Sequence, residues 1–202
     1  MVENRGTRSR IAAPSTAILL AAETCYARFG IEATTMDHVA QEAGLSRPTV
    51  YRYYPTRQTL ISSVVEYRAN DLFERARRFM ATRHRIDDRL VDGMIYLVDH
   101  GSRDPMVMHL FSLTTPQTKD AAVDARRLAT GLATAFWVPL LSEAQKASRI
   151  RPDLDIPEFA SWLVAISLMM VARVERLGAA DPSHKQLLRR FVVPLLHSSL
   201  RQ

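Results

Sequence analysis

Apolar residues recur at helical spacing along nearly the whole chain. Ile18, Ala22, Cys25 and Phe29 fall at i, i+4, i+7 and i+11, a stripe that predicts a first amphipathic helix starting near Pro14 and stopped by Gly30. A second helix is expected from Thr34 or Thr35 as N-cap, with Asp37 in its first turn, Val39, Ala40 and Ala43 on its buried side, and Gly44 as its stop. Ser46 then caps a very short third helix in which Pro48 suits the first turn and Val50 and Tyr54 share one side. Two short helices joined through a glycine turn form a helix-turn-helix. Pro55 ends the third helix and Thr56 caps a fourth, from about Arg57 to Met80, with acid-before-base pairs of Asp71 with Arg75 and Glu74 with Arg78 on its exposed side.

The same period continues beyond residue 85. Leu90, Met94, Leu97 and Val98 mark one helix, a break at Gly101 to Pro105 follows, and Met106 to Leu113 is a short apolar piece. A long helix is expected from Thr118 to about Ser148, with a kink near Pro139. The next, Glu158 to Gly178, is apolar on nearly all sides and should be covered on two faces. Ser183 caps a last helix whose Leu187, Leu188, Phe191, Val192 and Leu195 form one broad stripe. Strand-like alternation is lacking, so the fold class is all-α, with about nine helices at ordinary lengths.

Composition narrows the function classes. Hydrophobic residues make up 47% and charged residues 24% of the 202 positions, the balance of a globular protein with a packed core. The formal net charge of +6 and a pI near 9.9 favour a polyanionic partner, nucleic acid or an anionic membrane surface. A single cysteine, Cys25, excludes an intrachain disulfide and multi-thiolate zinc sites, and points to a cytoplasmic protein. Its place on the first stripe makes it a buried apolar residue rather than a reactive thiol. The seven glycines are scattered, so no phosphate-cradling loop can be written. Arg5, Arg8 and Arg10 precede an apolar run, but the run is short and Glu23 and Thr24 spoil a cleavage site, so no secretory signal is read. The apolar stretch Trp162 to Ala172 is too short to span a bilayer, and no membrane partner is expected. The six histidines form no metal-ligand pattern and no serine-histidine-acid signature is local. Neither a metal, a cofactor nor an enzyme activity is expected.

The segment Thr34 to Leu60, TTMDHVAQEAGLSRPTVYRYYPTRQTL, resembles the DNA-binding region of the TetR family of bacterial transcriptional regulators, and the likeness extends over the first helix to cover about residues 14 to 64. Arg57 stands where that family often has lysine, and Tyr53 and Tyr54 where histidine or phenylalanine is common. The resemblance implies a DNA-binding domain at residues 1–55, including a basic arm over residues 1 to 12. It implies a helical ligand-binding and dimerisation domain at 56–202, and a homodimer built through the last two helices.

On this reading the third helix enters the major groove. Arg47 stands at its tip, where a guanidinium fork fits the O6 and N7 acceptors of guanine, a contact worth about 1–3 kcal/mol of discrimination. Pro48 and Thr49 offer apolar contact to a thymine methyl, and Tyr51 and Tyr53 offer hydroxyls to phosphates. Ser46 belongs to the same edge as the helix cap, while Thr35 and Arg57 anchor the DNA backbone from either side. In the larger domain, Met94, Tyr96, His109, Phe111, Phe136, Trp137, Trp162 and Met169 are candidate lining residues of an apolar ligand pocket, with Tyr96 and His109 as its polar anchors. The expected function is a repressor that binds a pseudo-palindromic double-stranded operator as a homodimer and is released by a small, largely apolar effector. The competing readings are a constitutive DNA-binder without an effector, and an all-helical hydrolase or acyl-binding protein.

Overall fold

The computed structural model describes residues 13–111 and 119–197, with side chains described there except at 109–111, 119–126, 129 and 133. The basic arm over residues 1 to 12 lies outside the described residues. All regular structure among the described residues is helical: α1 (Pro14–Phe29), α2 (Met36–Glu42), α3 (Arg47–Tyr53), α4 (Arg57–Ala81), α5 (Ile86–Ser102), α6 (Pro105–Phe111), α7 (Lys119–Lys146), α8 (Ile156–Leu177), α9 (Pro182–Phe191) and the single turn α10 (Pro194–His197). This is the all-α architecture expected from the periodicity. The chain divides into two compact units, residues 1–64 and 65–202, and the division falls within α4.

In the first unit α1 packs on α2 and α2 on α3. Its core is the stripe read from the sequence, Ile18, Ala22 and Cys25, joined by Tyr26, Val39, Val50, Tyr54 and Leu60, all buried. Helix ends are set by local chemistry. Gly30 and Gly44 hold φ of 81° and 64°, a left-handed backbone that an L side chain resists. Thr35 is the N-cap of α2, and its Oγ1 accepts from the His38 amide at 3.2 Å while His38 Nδ1 accepts from the Thr35 amide at 3.3 Å, a reciprocal capping box. Thr34 is instead buried, donating its hydroxyl to the Gly30 carbonyl at 2.7 Å.

The second unit has a core of Leu90, Met94, Trp137, Leu141, Leu163, Leu188 and their neighbours, assembled from α4, α5 and α7 to α10. Polar contacts tie α5 to the last helices: the ion pairs of Asp88 with Arg189 at 2.6 Å and Asp92 with Lys185 at 2.8 Å, and a hydrogen bond between buried Asp87 and His197 Nε2 at 2.6 Å. Buried His184 links α8 to α9, with Nδ1 accepting from Arg173 at 3.1 Å and Nε2 facing the Gly178 carbonyl at 2.9 Å.

Five details differ from the periodicity reading. The cap of α9 is Asp181, whose carboxylate accepts from the Ser183 amide at 2.8 Å; Ser183 lies inside the first turn, behind Pro182. Glu74 pairs with Arg77 at i, i+3 rather than with Arg78, whereas Asp71 holds Arg75 as expected. Helix α8 is 22 residues long and, by length and composition alone, apolar enough to cross a membrane, which the shorter stretch from Trp162 had not suggested. Finally, the described residues cover α8 on one face only: Phe159, Ala160, Leu163 and Met170 are buried, while Trp162 and Met169 are 43% and 76% exposed. Phe191 of α9, placed on the buried stripe by its spacing, is also exposed.

Candidate nucleic-acid interface

Helix α3 sorts its residues by side. Val50 and Tyr54 point into the first unit, and the Tyr54 hydroxyl donates to the Ser15 carbonyl at 3.3 Å, locking the end of α3 onto the start of α1. Ser46, Arg47, Pro48, Arg52 and Tyr53 are exposed, and Thr49 and Tyr51 half-buried. Seven residues cannot hold a helix by propensity. The locks are Val50 and Tyr54 below and the Ser46 cap at the N-terminal end, where Ser46 Oγ takes the Thr49 amide at 3.4 Å and lies 2.8 Å from Thr49 Oγ1.

The exposed cations are oriented by neighbouring rings and acids. Arg47 meets Asp37 through Nη1 to Oδ2 and Nε to Oδ1, each at 3.2 Å. Its guanidinium also stands 5.4 Å from the centroid of the Tyr51 ring. These contacts, Tyr51 first and Asp37 second, push the Arg47 pKa further up, so its charge is permanent. Arg52 stands 5.3 Å from the Tyr53 ring. The arrangement is a short rigid rod that presents a fixed guanidinium, a proline ring, hydroxyls and a second cation along one open edge. Such a rod can donate to base edges and to phosphates.

Arg57 sits differently from the other candidates. Its Nη2 donates to the Ile31 carbonyl at 2.5 Å, its Nε to the Thr34 carbonyl at 3.2 Å, and Glu32 lies 3.5 Å from Nη2. The guanidinium therefore staples the connection between α1 and α2 to the start of α4, and Thr35 follows directly on that stapled segment. Cys25 is buried, with its thiol pKa raised by burial, and takes no part in this surface.

The second unit holds a cavity of about 80 Å³ lined by residues of α4, α5, α6, α7 and α8. Of the residues anticipated there, Trp137 lines it. Met94 is fully buried in the solid core. Phe136 lines a separate recess with Arg77 and Pro139. Tyr96 is stacked between Phe79, at 4.7 Å, and His100, at 3.9 Å between centroids. Trp162 and Met169 are on the open face of α8, and the side chains of His109 and Phe111 lie outside the described residues. The lining residues not anticipated as such include Phe73, Leu97, Ser102 and Ser167, none of which departs in type from ordinary helix residues.

Residues 18–64 match the family model described as bacterial regulatory proteins, tetR family. An HTH-type transcriptional regulator of Mycobacterium tuberculosis is 27% identical, over 56% of this chain and 72% of its own length. Among solved structures, Thermus thermophilus FadR, a transcriptional repressor in complex with lauroyl-CoA, superposes with a TM-score of 0.66 at 18% identity, covering 92% of this chain and 96% of its own. RolR in complex with resorcinol does so with a TM-score of 0.67 at 14% identity, covering 89% and 87%. At these identities the two structures speak to the shared fold.

Proposed function

We propose that this chain, whose residues 18–64 match the family model of bacterial regulatory proteins, tetR family, represses transcription by binding a pseudo-palindromic operator as a homodimer, released by a small, largely apolar effector. The observation that carries the DNA part is the sorting of α3: Val50 and Tyr54 are buried while Arg47, Pro48, Arg52 and Tyr53 stand open on the other side. Arg47 reads a base edge, Pro48 and Thr49 offer methyl contact, Tyr51 and Tyr53 reach phosphates, and Ser46 and Thr35 hold the ends of α3 and α2 against the backbone.

A pseudo-palindrome needs two copies, with recognition helices about 34–36 Å apart on successive major grooves. The open apolar face of α8, with Trp162 and Met169, and Phe191 of α9 supply a surface suited to a second copy. The cavity in the second unit supplies the effector site. Two proteins of the same fold form complexes with small molecules, lauroyl-CoA in one and resorcinol in the other, which supports a ligand-responsive regulator. An effector weakens DNA binding only by preferring the conformation that does not fit the operator, and α4, which contains the division between the units, is the element through which that preference passes. A regulator of this kind works in the cytoplasm and has no catalytic step.

The test is a titration of wild type and Arg47→Ala against a genomic-selected operator and a scrambled duplex at one salt concentration. Loss of operator binding by about tenfold or more, with little change on the scrambled duplex, supports base reading. Equal loss on both duplexes contradicts it.

A further inference from the structure

The cavity in the second unit is unusual in where its polar atoms point their protons. Among its described lining residues the side chains with polar atoms are Ser102, at the end of α5, Ser167, in the middle of α8, and Trp137, whose indole N–H can only donate; the rest are apolar, Phe73 among them. Both hydroxyl protons are already spent. Ser102 Oγ donates to the Asp99 carbonyl at 3.1 Å, and Ser167 Oγ donates to the Leu163 carbonyl at 2.8 Å. The first of these bonds is firmly placed, because Asp99 is among the last four residues of α5, whose carbonyls have no partner within the helix. Turning the Ser102 hydroxyl toward a ligand would leave that carbonyl bare. The second is the usual back-bond of a mid-helix serine.

A hydroxyl that donates to the main chain keeps lone pairs for accepting. The cavity therefore offers acceptors at two points on an apolar wall. A carboxylate or phosphate entering such a space would lose its hydration and find no cationic partner among the described lining residues, with the Trp137 indole N–H as the side-chain donor there, which is strongly unfavourable. A neutral molecule with its own O–H would give that proton to Ser102 or Ser167 and bury its remaining surface against rings and aliphatic chains. Size points the same way. One water needs about 10–15 Å³ of such space, so a cavity of about 80 Å³ suits a molecule of roughly one ring.

We propose that this cavity binds a compact, uncharged, mostly apolar ligand that acts as a hydrogen-bond donor, a phenol or alcohol, with Ser102 and Ser167 as its acceptors. The proposal rests on the effector reading of the cavity given above and narrows it to one chemical class.

Three matched probes test it on the full chain by calorimetry and thermal shift: 4-ethylphenol, 4-ethylanisole, in which the donor proton is replaced by methyl, and 4-ethylbenzoate, which carries a charge. The expected order is the phenol about tenfold tighter than the anisole, with no benzoate binding at the same concentrations. In Ser102→Ala and Ser167→Ala, whose folding is checked by melting, the phenol's advantage should shrink while anisole binding holds. Benzoate binding as tight as phenol, no preference of phenol over anisole, or no binding by any of the three overturns the proposal, with or without the variants. Operator retention is read in parallel. Phenol binding that leaves the operator bound would sink the effector reading and leave the ligand class standing, whereas operator release by a charged ligand seated in the cavity would sink the ligand class alone.

Discussion

The guanidinium of Arg47, first residue of α3, faces the carboxylate of Asp37 in the first turn of α2 through two contacts of 3.2 Å. Both side chains are 59% exposed, so solvent screens the pair and it adds little to stability. Its significance is directional. A fork held by two carboxylate oxygens and flanked by the Tyr51 ring samples fewer rotamers, and an acid beside it repels phosphate while leaving base acceptors attractive. Asp37→Asn should therefore bind random duplex several-fold more tightly, with operator affinity rising less, so that the ratio between the two falls. Competition anisotropy with both duplexes measures that ratio, and a parallel change in both would show that Asp37 does not orient Arg47.

Arg57 makes a different prediction. Two main-chain carbonyls, Ile31 and Thr34, share its planar fork. Lysine keeps the charge and cannot reproduce that geometry. Arg57→Lys should destabilise the chain by about 1–2 kcal/mol and speed amide exchange around residues 31–35. If instead the side chain serves phosphates alone, Arg57→Lys would melt like wild type and bind DNA nearly as well.

The first unit was legible because its punctuation is written in side chains. Gly30, Gly44, Thr35 and Ser46 each end or begin a helix through their own backbone preference or hydroxyl, so the sequence states them locally. The larger unit is decided by packing between distant segments. Spacing marks Met94 and Trp137 alike as inward, yet only the closure of five helices determines that Trp137 borders a void and Met94 does not. Ser102 and Ser167 carried no signal, since a serine within a helix reads as a neutral surface choice. Trp162 and Met169 looked like lining residues because an aromatic or a methionine on an apolar helix suits a cavity and an interface equally.

Tyr26 predicts an alkaline transition. Its ring is buried on α1, and its hydroxyl is buried without a hydrogen-bond partner among the described residues. Burial raises its pKa from 10.0 to about 12, with Arg57 pulling weakly the other way. A raised folded-state value means the native state holds the proton longer than the unfolded state, so the contribution is complete below pH 10 and is lost as pH climbs to about 12. The loss amounts to about 2–3 kcal/mol. Tyr26→Phe should match wild type at pH 7 or gain up to about 1 kcal/mol, since no bond is broken, and should show a shallower decline above pH 10. Some slope must remain, because the Cys25 thiol is shifted upward by burial as well. Denaturant melts across that range give both quantities, and an unchanged alkaline slope in the phenylalanine variant would count against Tyr26 as its source.

The uncovered face of α8 bears on assembly. Met169 is 76% exposed and Trp162 43%, in a helix whose opposite side is packed, and Phe191 on α9 is 61% exposed. Large apolar side chains clustered like this on a lone chain are costly in water, and a second copy burying them would recover about 25 cal/mol for each Å² covered. A charge placed at the centre of that contact would be buried without a partner, which typically costs several kcal/mol. Met169→Glu should therefore shift the sedimentation profile from dimer to monomer while leaving the helical circular dichroism unchanged, because the side chain contributes nothing to the core of its own chain. Operator affinity should fall by much more than affinity for a single half-site, since the two recognition helices are then no longer tethered. A Met169→Glu protein that remains dimeric would move the interface elsewhere on the second unit, and a wild type that sediments as a monomer at micromolar concentration would remove the need for one.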